Sequence, residues 1–137
     1  MQDLLRPQLN EKRVNAMSAL ALAHIGDGVF ELMVRTRLCL KGDSTNHRLH
    51  KDTVAIVRAT SQAQYAMKLQ PLLTEEEQGY YRRGRNSHSH AAPKNVSPVD
   101  YAKATGFETL LGALYLLGRQ ERLQELFAAL WEDDHAL

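Results

Sequence analysis

Three features of the chain predict an all-α fold. Apolar residues recur at three- and four-residue spacing along most of it, and helix-start signals stand where that pattern begins. No run of alternating apolar and polar residues is long enough to make a useful strand. With 137 residues, few prolines and glycines and no repeat or low-complexity tract, the chain reads as one helical domain over 1–137. Residues 1–12 form an N-terminal arm, and 132–137 an acidic tail.

The arm, to about Asn10, is expected to be irregular, strand-like or disordered. From Glu11, Val14, Met17, Ala21, Ile25 and Leu32, with Val29 alongside, predict one long helix to about Lys41, closed by Gly42. Asp43, Ser44 and Thr45 are candidate caps for a second helix. Its core face is Leu49, Val54, Ile56, Val57, Ala63, Ala66, Met67 and Leu69, and Pro71 ends it. Thr74-Glu75-Glu76-Glu77 is a capping box that starts a third helix, which carries Tyr80, Tyr81 and Arg82 towards Asn86. Ser87 to Val96 reads as loop. Ser97 and Pro98 supply an N-cap and a first-turn proline for a helix running to Leu117. Gly118 breaks it, and a last helix from Gln120 packs Leu123, Leu126, Phe127, Leu130 and Trp131.

Two of these helices share an unusual design. Leu20 to Glu31 is apolar except for Asp27 between Gly26 and Gly28, with His24 before it and Glu31 at its end. Each glycine inside a helix costs about 1 kcal/mol relative to alanine, so the pair is expected to serve close approach rather than helix stability. Ala104 to Tyr115 is again apolar and glycine-bearing, with Glu108 as its only acid. A carboxylate on an apolar helix must be neutralised, shift its pKa or meet a cation. Two such acids could converge on a hard divalent cation, which accepts oxygen ligands and keeps several waters. The alternatives are an N-cap role for Asp27 and a solvated position for Glu108; Phe30 three residues after Asp27 does not complete a capping box.

The charge balance, 17 Lys and Arg against 16 Asp and Glu, announces no polyanion partner, but its distribution is uneven. Arg82, Arg83, Arg85, Lys94 and Lys103 share a window whose only acid is Asp100, a pattern that fits a polyanion-binding face or a solvated basic loop. His88 and His90 lack the partners a zinc site needs. The lone Cys39 excludes an internal disulfide and is expected to be inert packing. Met1 to Asn15 has no apolar signal-peptide core, and the longest apolar run, around Leu110 to Leu117, is too short to span a bilayer. A soluble cytoplasmic protein with no membrane partner is expected.

Taken together, Ile25-Gly26-Asp27, Arg83-Gly84-Arg85-Asn86, Pro93-Lys94-Asn95, and Ala104-Thr105-Gly106-Phe107-Glu108 followed by Leu111-Gly112 closely resemble Mini-ribonuclease III. This is the small branch of the ribonuclease III family that lacks a double-stranded-RNA-binding domain. Leu49-His50-Lys51 and Thr74 to Glu77 also look like that branch, and the resemblance covers roughly Ala19 to Leu130. It implies a ribonuclease III-type helical catalytic domain acting as a homodimer. The implied reaction is Mg2+-dependent hydrolysis of both strands of an RNA duplex, leaving 5′-phosphate and 3′-hydroxyl ends. The implied substrate is the duplex stem of the 23S ribosomal RNA precursor.

One departure from the larger enzymes bears on the metal. They resemble this chain in the two acids but carry a Glu where Ala23 stands and an Asp where Thr105 stands. Asp27 and Glu108 are thus the expected catalytic and metal-binding residues, holding the ion through more waters. Glu31 is a candidate partner of this pair or a member of a surface ion pair. Arg83, Arg85, Asn86, Lys94 and Asn95, with His50 and Lys51, are the candidates for holding the RNA backbone. Recognition of a duplex by shape, with affinity drawn from two subunits, should fall steeply with salt. A non-cleaving RNA-binding or ribosome-associated protein that keeps the fold is the alternative, as is, more remotely, a small helical interaction module. Retention of both acids favours the enzyme.

Overall fold

A computed structural model describes residues 2–87 and 92–131; His88, His90 and the acidic tail lie outside the described residues. Among the described residues there is no strand. Seven helices follow in order: α1 (Glu11–Asn15), α2 (Ala19–Leu40), α3 (Asn46–Val57), α4 (Ala59–Leu69), α5 (Glu75–Arg85), α6 (Pro98–Leu116) and α7 (Gln120–Leu130). A short 3-10 turn, Gln70–Leu72, links α4 to α5. None of them is long and apolar enough to cross a membrane.

α6 is the axis of the molecule, with α2, α4 and α5 packed around it. From Ala104 to Leu114 every residue but Glu108 is buried. Such enclosure needs small residues where other backbones cross. A Cβ on Gly112 would stand 1.9 Å from the Leu22 carbonyl oxygen, and one on Gly106 would stand 2.7 Å from that of Tyr81. Thr109 Oγ1 donates within α6 to the Thr105 carbonyl at 2.7 Å, a bond that needs no outside partner. α7 closes one end with Leu123, Leu126, Phe127 and Leu130. There Phe30 meets Phe107 edge-on at 5.0 Å, and Phe127 and Trp131 pack at 4.3 Å.

Sequence signals hold at most helix ends. Thr45, Thr74 and Ser97 each accept from the backbone N–H three residues on, and Thr74 forms a full capping box with Glu77. Gly42 and Gly118 take positive φ values of 141° and 78° just after α2 and α6.

Four expectations are corrected. The expected first helix is two: the chain turns at Ala16 and Met17, and Ser18 caps α2 by accepting from the Ala21 N–H. The expected second helix also divides, because Arg58 is extended (φ −62°, ψ 155°) and serves both as the end of α3 and the start of α4. On α2 the buried set is Leu22, Ala23, Gly26, Phe30 and Val34, while Leu32 is 63% exposed, so the core stripe runs about one position away from the expected one. Cys39 is exposed rather than packed. The arm is irregular yet attached: Leu9 N–H donates to the Leu116 carbonyl at 2.8 Å, and Tyr115 hydroxyl donates to the Leu4 carbonyl.

Candidate active site

Asp27 lies in the middle of α2, which removes the N-cap reading. Its helix crosses α6 where both carry glycine. A Cβ on Gly26 would stand 1.8 Å from the Glu108 carbonyl oxygen and 2.9 Å from the Gly112 nitrogen. Gly26 therefore lets the two backbones touch, and this contact sets Asp27 and Glu108 side by side. The Asp27 carboxylate comes within hydrogen-bonding reach of Glu108. Two acids 81 positions apart in the chain thus share one place.

Their surroundings differ. Asp27 is exposed, whereas Glu108 is half-buried, so the pair opens to solvent on the α2 side. Gly28 has nothing within 4 Å of where a Cβ would be, which leaves the surface beside Asp27 clear. Burial pushes the Glu108 carboxyl up, and the hydrogen-bonding and charge of Asp27 push it further, to about 8; a hydrogen bond from Gln62 acts the other way. The arrangement carries one negative charge readily and two at a cost, the electrostatic setting that a cation relieves.

The donor set fits a hydrated hard cation. It consists of carboxylate oxygens, and no group of three or more His, Cys, Asp or Glu side chains is assembled among the described residues. Ala23 and Thr105, where the larger enzymes carry acids, are both buried, and Thr105 Oγ1 donates to the Tyr101 carbonyl at 3.0 Å. Neither supplies a carboxylate to the pair. Glu31 pairs instead with Arg35 at 3.7 Å, both side chains largely exposed.

The basic candidates are less uniform. Arg83 is half-buried, and its Nη2 donates to the Met17 carbonyl at 2.6 Å, tying α5 to the turn before α2. Arg85 is exposed, with its guanidinium 5.7 Å above the Tyr81 ring and its Nε donating to Asn86 Oδ1 at 3.3 Å. Gly84 stands against Gly106 and Thr109, so Arg85 and Asn86 leave α5 at the level of α6 where Glu108 sits. Lys94 and Asn95 are exposed in the turn before α6, with Asn95 at φ 73°. His50 and Lys51 are exposed on α3; His50 lines a groove of about 280 Å³ against Arg35, Leu38 and Cys39 of α2. Arg35 lies two turns of α2, about 12 Å, beyond Asp27.

Sequence reasoning missed Gln62. It occupies the core register of α4 with Ala66 and Leu69 and is 2% exposed. A polar residue at positions i, i+4, i+7 of an apolar face was the available signal.

Comparison with known proteins agrees with this geometry. A family model described as the ribonuclease III domain matches residues 20–119. A Mini-ribonuclease 3 of Symbiobacterium thermophilum is 47% identical over 110 residues, covering 80% of this chain and 85% of its own. That of Clostridium tetani is 42% identical over 123 residues, 89% of this chain and 82% of its own. An X-ray structure of a Fusobacterium nucleatum protein superposes with a TM-score of 0.78 at 29% identity, covering 85% of this chain and 90% of that one. The chain is an endoribonuclease of the ribonuclease III family, and within it belongs with the Mini-ribonuclease 3 proteins.

Proposed function

We propose that the protein is a magnesium-dependent endoribonuclease that cuts double-stranded RNA as a homodimer, with the 23S ribosomal RNA precursor as its cytoplasmic substrate. The observation that carries the proposal is the convergence of Asp27 and Glu108 on one solvent-open spot. Magnesium, when bound, supplies a Lewis acid that neutralises phosphate charge and lowers the pKa of an attacking water. Asp27 and Glu108 would hold the ion by hard oxygens and through several waters. Two protein ligands leave much of the coordination to water and phosphate, so affinity should be modest without RNA.

Asp27 is the acid that meets the substrate, because it is exposed and has the bare backbone of Gly28 beside it. Glu108 reaches the same spot from the enclosed side. Arg85 and Asn86, leaving α5 at that level, and the exposed Lys94 and Asn95 are the groups to hold phosphates on either side of the cut. His50 and Lys51 extend the contact along the surface. Arg83, whose Nη2 is engaged by the Met17 carbonyl, contributes mainly charge and the position of its neighbours. Hydrolysis that leaves the phosphate on the 5′ end requires in-line attack opposite the 3′ oxygen, and two copies of the carboxylate pair would serve the two strands. A small chain with few exposed cations gains affinity by engaging one duplex twice.

The test is cleavage of a duplex carrying a ribosomal precursor stem, with and without Mg2+. Asp27→Asn should fold, bind the duplex and leave it uncut. Unchanged cutting by that variant refutes the role of Asp27, and binding without cutting by the wild type at any Mg2+ concentration refutes the proposed reaction on this substrate.

A further inference from the structure

We propose that Gln62 is a positioning residue for this site, fixing the Glu108 carboxylate from α4 and offering its own buried oxygen to a water held beside the two acids. The inference rests on the reading of Asp27 and Glu108 as the cation site. Its geometry is independent of that reading. Gln62 Nε2 donates to the Val57 carbonyl at 2.8 Å, the last residue of α3 before the extended Arg58. That carbonyl has lost its helical partner, so the bond both satisfies it and settles which end of the amide is nitrogen. The amide also lies close enough to Glu108 to favour its charged form. Gln62 therefore ties the acid to the α3–α4 junction, and the side chain has little freedom at 2% exposure.

The remaining atom calls for an explanation. Gln62 Oε1 is buried and has no hydrogen-bond partner. A buried acceptor left alone is unfavourable, and the large majority of such atoms are satisfied. Once a cation is bound both acids are ionised and only accept, so Oε1 must then find a donor other than the two acids. A water meets that need, since it can donate to Oε1 and to a carboxylate while a cation takes its lone pair. Partners of this kind orient the groups that hold a metal, and losing one typically costs about 10- to 100-fold in metal affinity or activity.

The experiment uses the full chain and Mn2+ as the probe, followed by loss of the free-ion signal in electron paramagnetic resonance. Gln62→Leu and the equally long Gln62→Met are compared with wild type and with Asp27→Asn. Thermal unfolding is recorded in a chelator. The expected result is at least a tenfold loss of Mn2+ affinity in both Gln62 variants, with folding kept in the chelator; removal of the unpartnered acceptor offsets the loss of the bond to the Val57 carbonyl, so the chelated melting temperature changes little. A purely structural glutamine would give the opposite pair, lower melting temperature with Mn2+ affinity unchanged, and that result overturns the proposal. Failure of both variants to fold overturns it too. Weakened Mn2+ binding in Asp27→Asn with wild-type binding in the Gln62 variants rejects the positioning role alone. Wild-type Mn2+ binding in Asp27→Asn rejects the cation site itself.

Discussion

Alanine at Gly26 and alanine at Gly28 should have opposite effects, although the two residues are one position apart from Asp27 on the same helix. At Gly26 the added methyl would stand 1.8 Å from the Glu108 carbonyl oxygen, and contacts under 3.0 Å are essentially never made, so α2 and α6 must part by more than 1 Å. The obstacle is backbone on both sides and cannot rotate away. Gly112 opposes the same crossing from the other helix, where an added Cβ would stand 1.9 Å from the Leu22 carbonyl oxygen, so no slide relieves it. Overpacking of this kind costs typically 1–3 kcal/mol, and a backbone clash belongs at about 3 or beyond. Helix propensity returns only about 1 kcal/mol of that. Gly28 has nothing within 4 Å, so Gly28→Ala keeps the propensity gain with no clash. Thermal unfolding should place Gly26→Ala several degrees below wild type and Gly28→Ala level with it or higher, at roughly 4 °C per kcal/mol for a chain of this size. Mn2+ affinity should fall in the first variant, because parting the helices separates Asp27 from Glu108. Equal melting temperatures for Gly26→Ala and wild type would refute the reasoning that the crossing positions the acids.

Other perturbations test other parts of the structure. Glu108 has its carboxyl raised from 4.5 to about 8 by burial and then by Asp27, so the folded chain keeps a proton there that the unfolded chain releases. Stability of the metal-free protein should therefore decline as pH rises from about 4.5 to 8, and Glu108→Gln should flatten that slope while abolishing cleavage; a slope unchanged in the variant contradicts the assigned cause. Glu77 shows the reverse sign. Burial alone would raise its carboxyl, but hydrogen bonds from Arg122 and from the Thr74 backbone, with the charge of Arg122, hold it below the ordinary range. Its contribution is present above about pH 4.5 and lost as pH falls through the depressed value. Arg122→Ala strands a buried carboxylate and should cost roughly 3 kcal/mol in urea denaturation at pH 7, shrinking under acid; a pH-independent loss would mean that packing, not the pair, is at stake. Arg85→Ala should weaken duplex RNA binding and reduce the slope of log affinity against log salt by about one, without changing the melting temperature. A drop in turnover alone would rule out a phosphate contact.

How far the sequence could be read depends on whether its signals were local. Thr74, Ser97 and Pro98 act on backbone groups within one turn, so their helices begin where those residues place them. The breaks at Ala16–Met17 and at Arg58 escaped notice because Val14, Met17 and Ala21, and likewise Ile56 and Ala63, keep helical spacing across them. Neither break contains Gly or Pro; Ser18 caps the helix after the first, and the extended Arg58 starts the helix after the second without a side-chain cap. Leu32 was expected inside by the same spacing, but α2 packs on α6 and α3 through a neighbouring stripe that includes Phe30 and Val34. The two acids stood out because each sits in an apolar, glycine-bearing stretch: Leu20 to Phe30 holds no other acid, and Ala104 to Tyr115 no other charge. That they meet depends on Gly26 and Gly112, whose role is a contact between elements more than 80 residues apart. Gln62 and Arg83 were less legible for a related reason: the Val57 and Met17 carbonyls that engage them exist as free acceptors only because the chain turns there.

The most direct measurement is the anomalous scattering of Mn2+ in crystals of the protein grown with an uncleaved RNA duplex. A peak between the Asp27 and Glu108 carboxylates, next to a backbone phosphate and lost in Asp27→Asn, is the predicted result. A phosphate seated at the pair with no metal peak there, or a peak held by other residues, would contradict the claim that these two acids hold the ion at the bond that is cut.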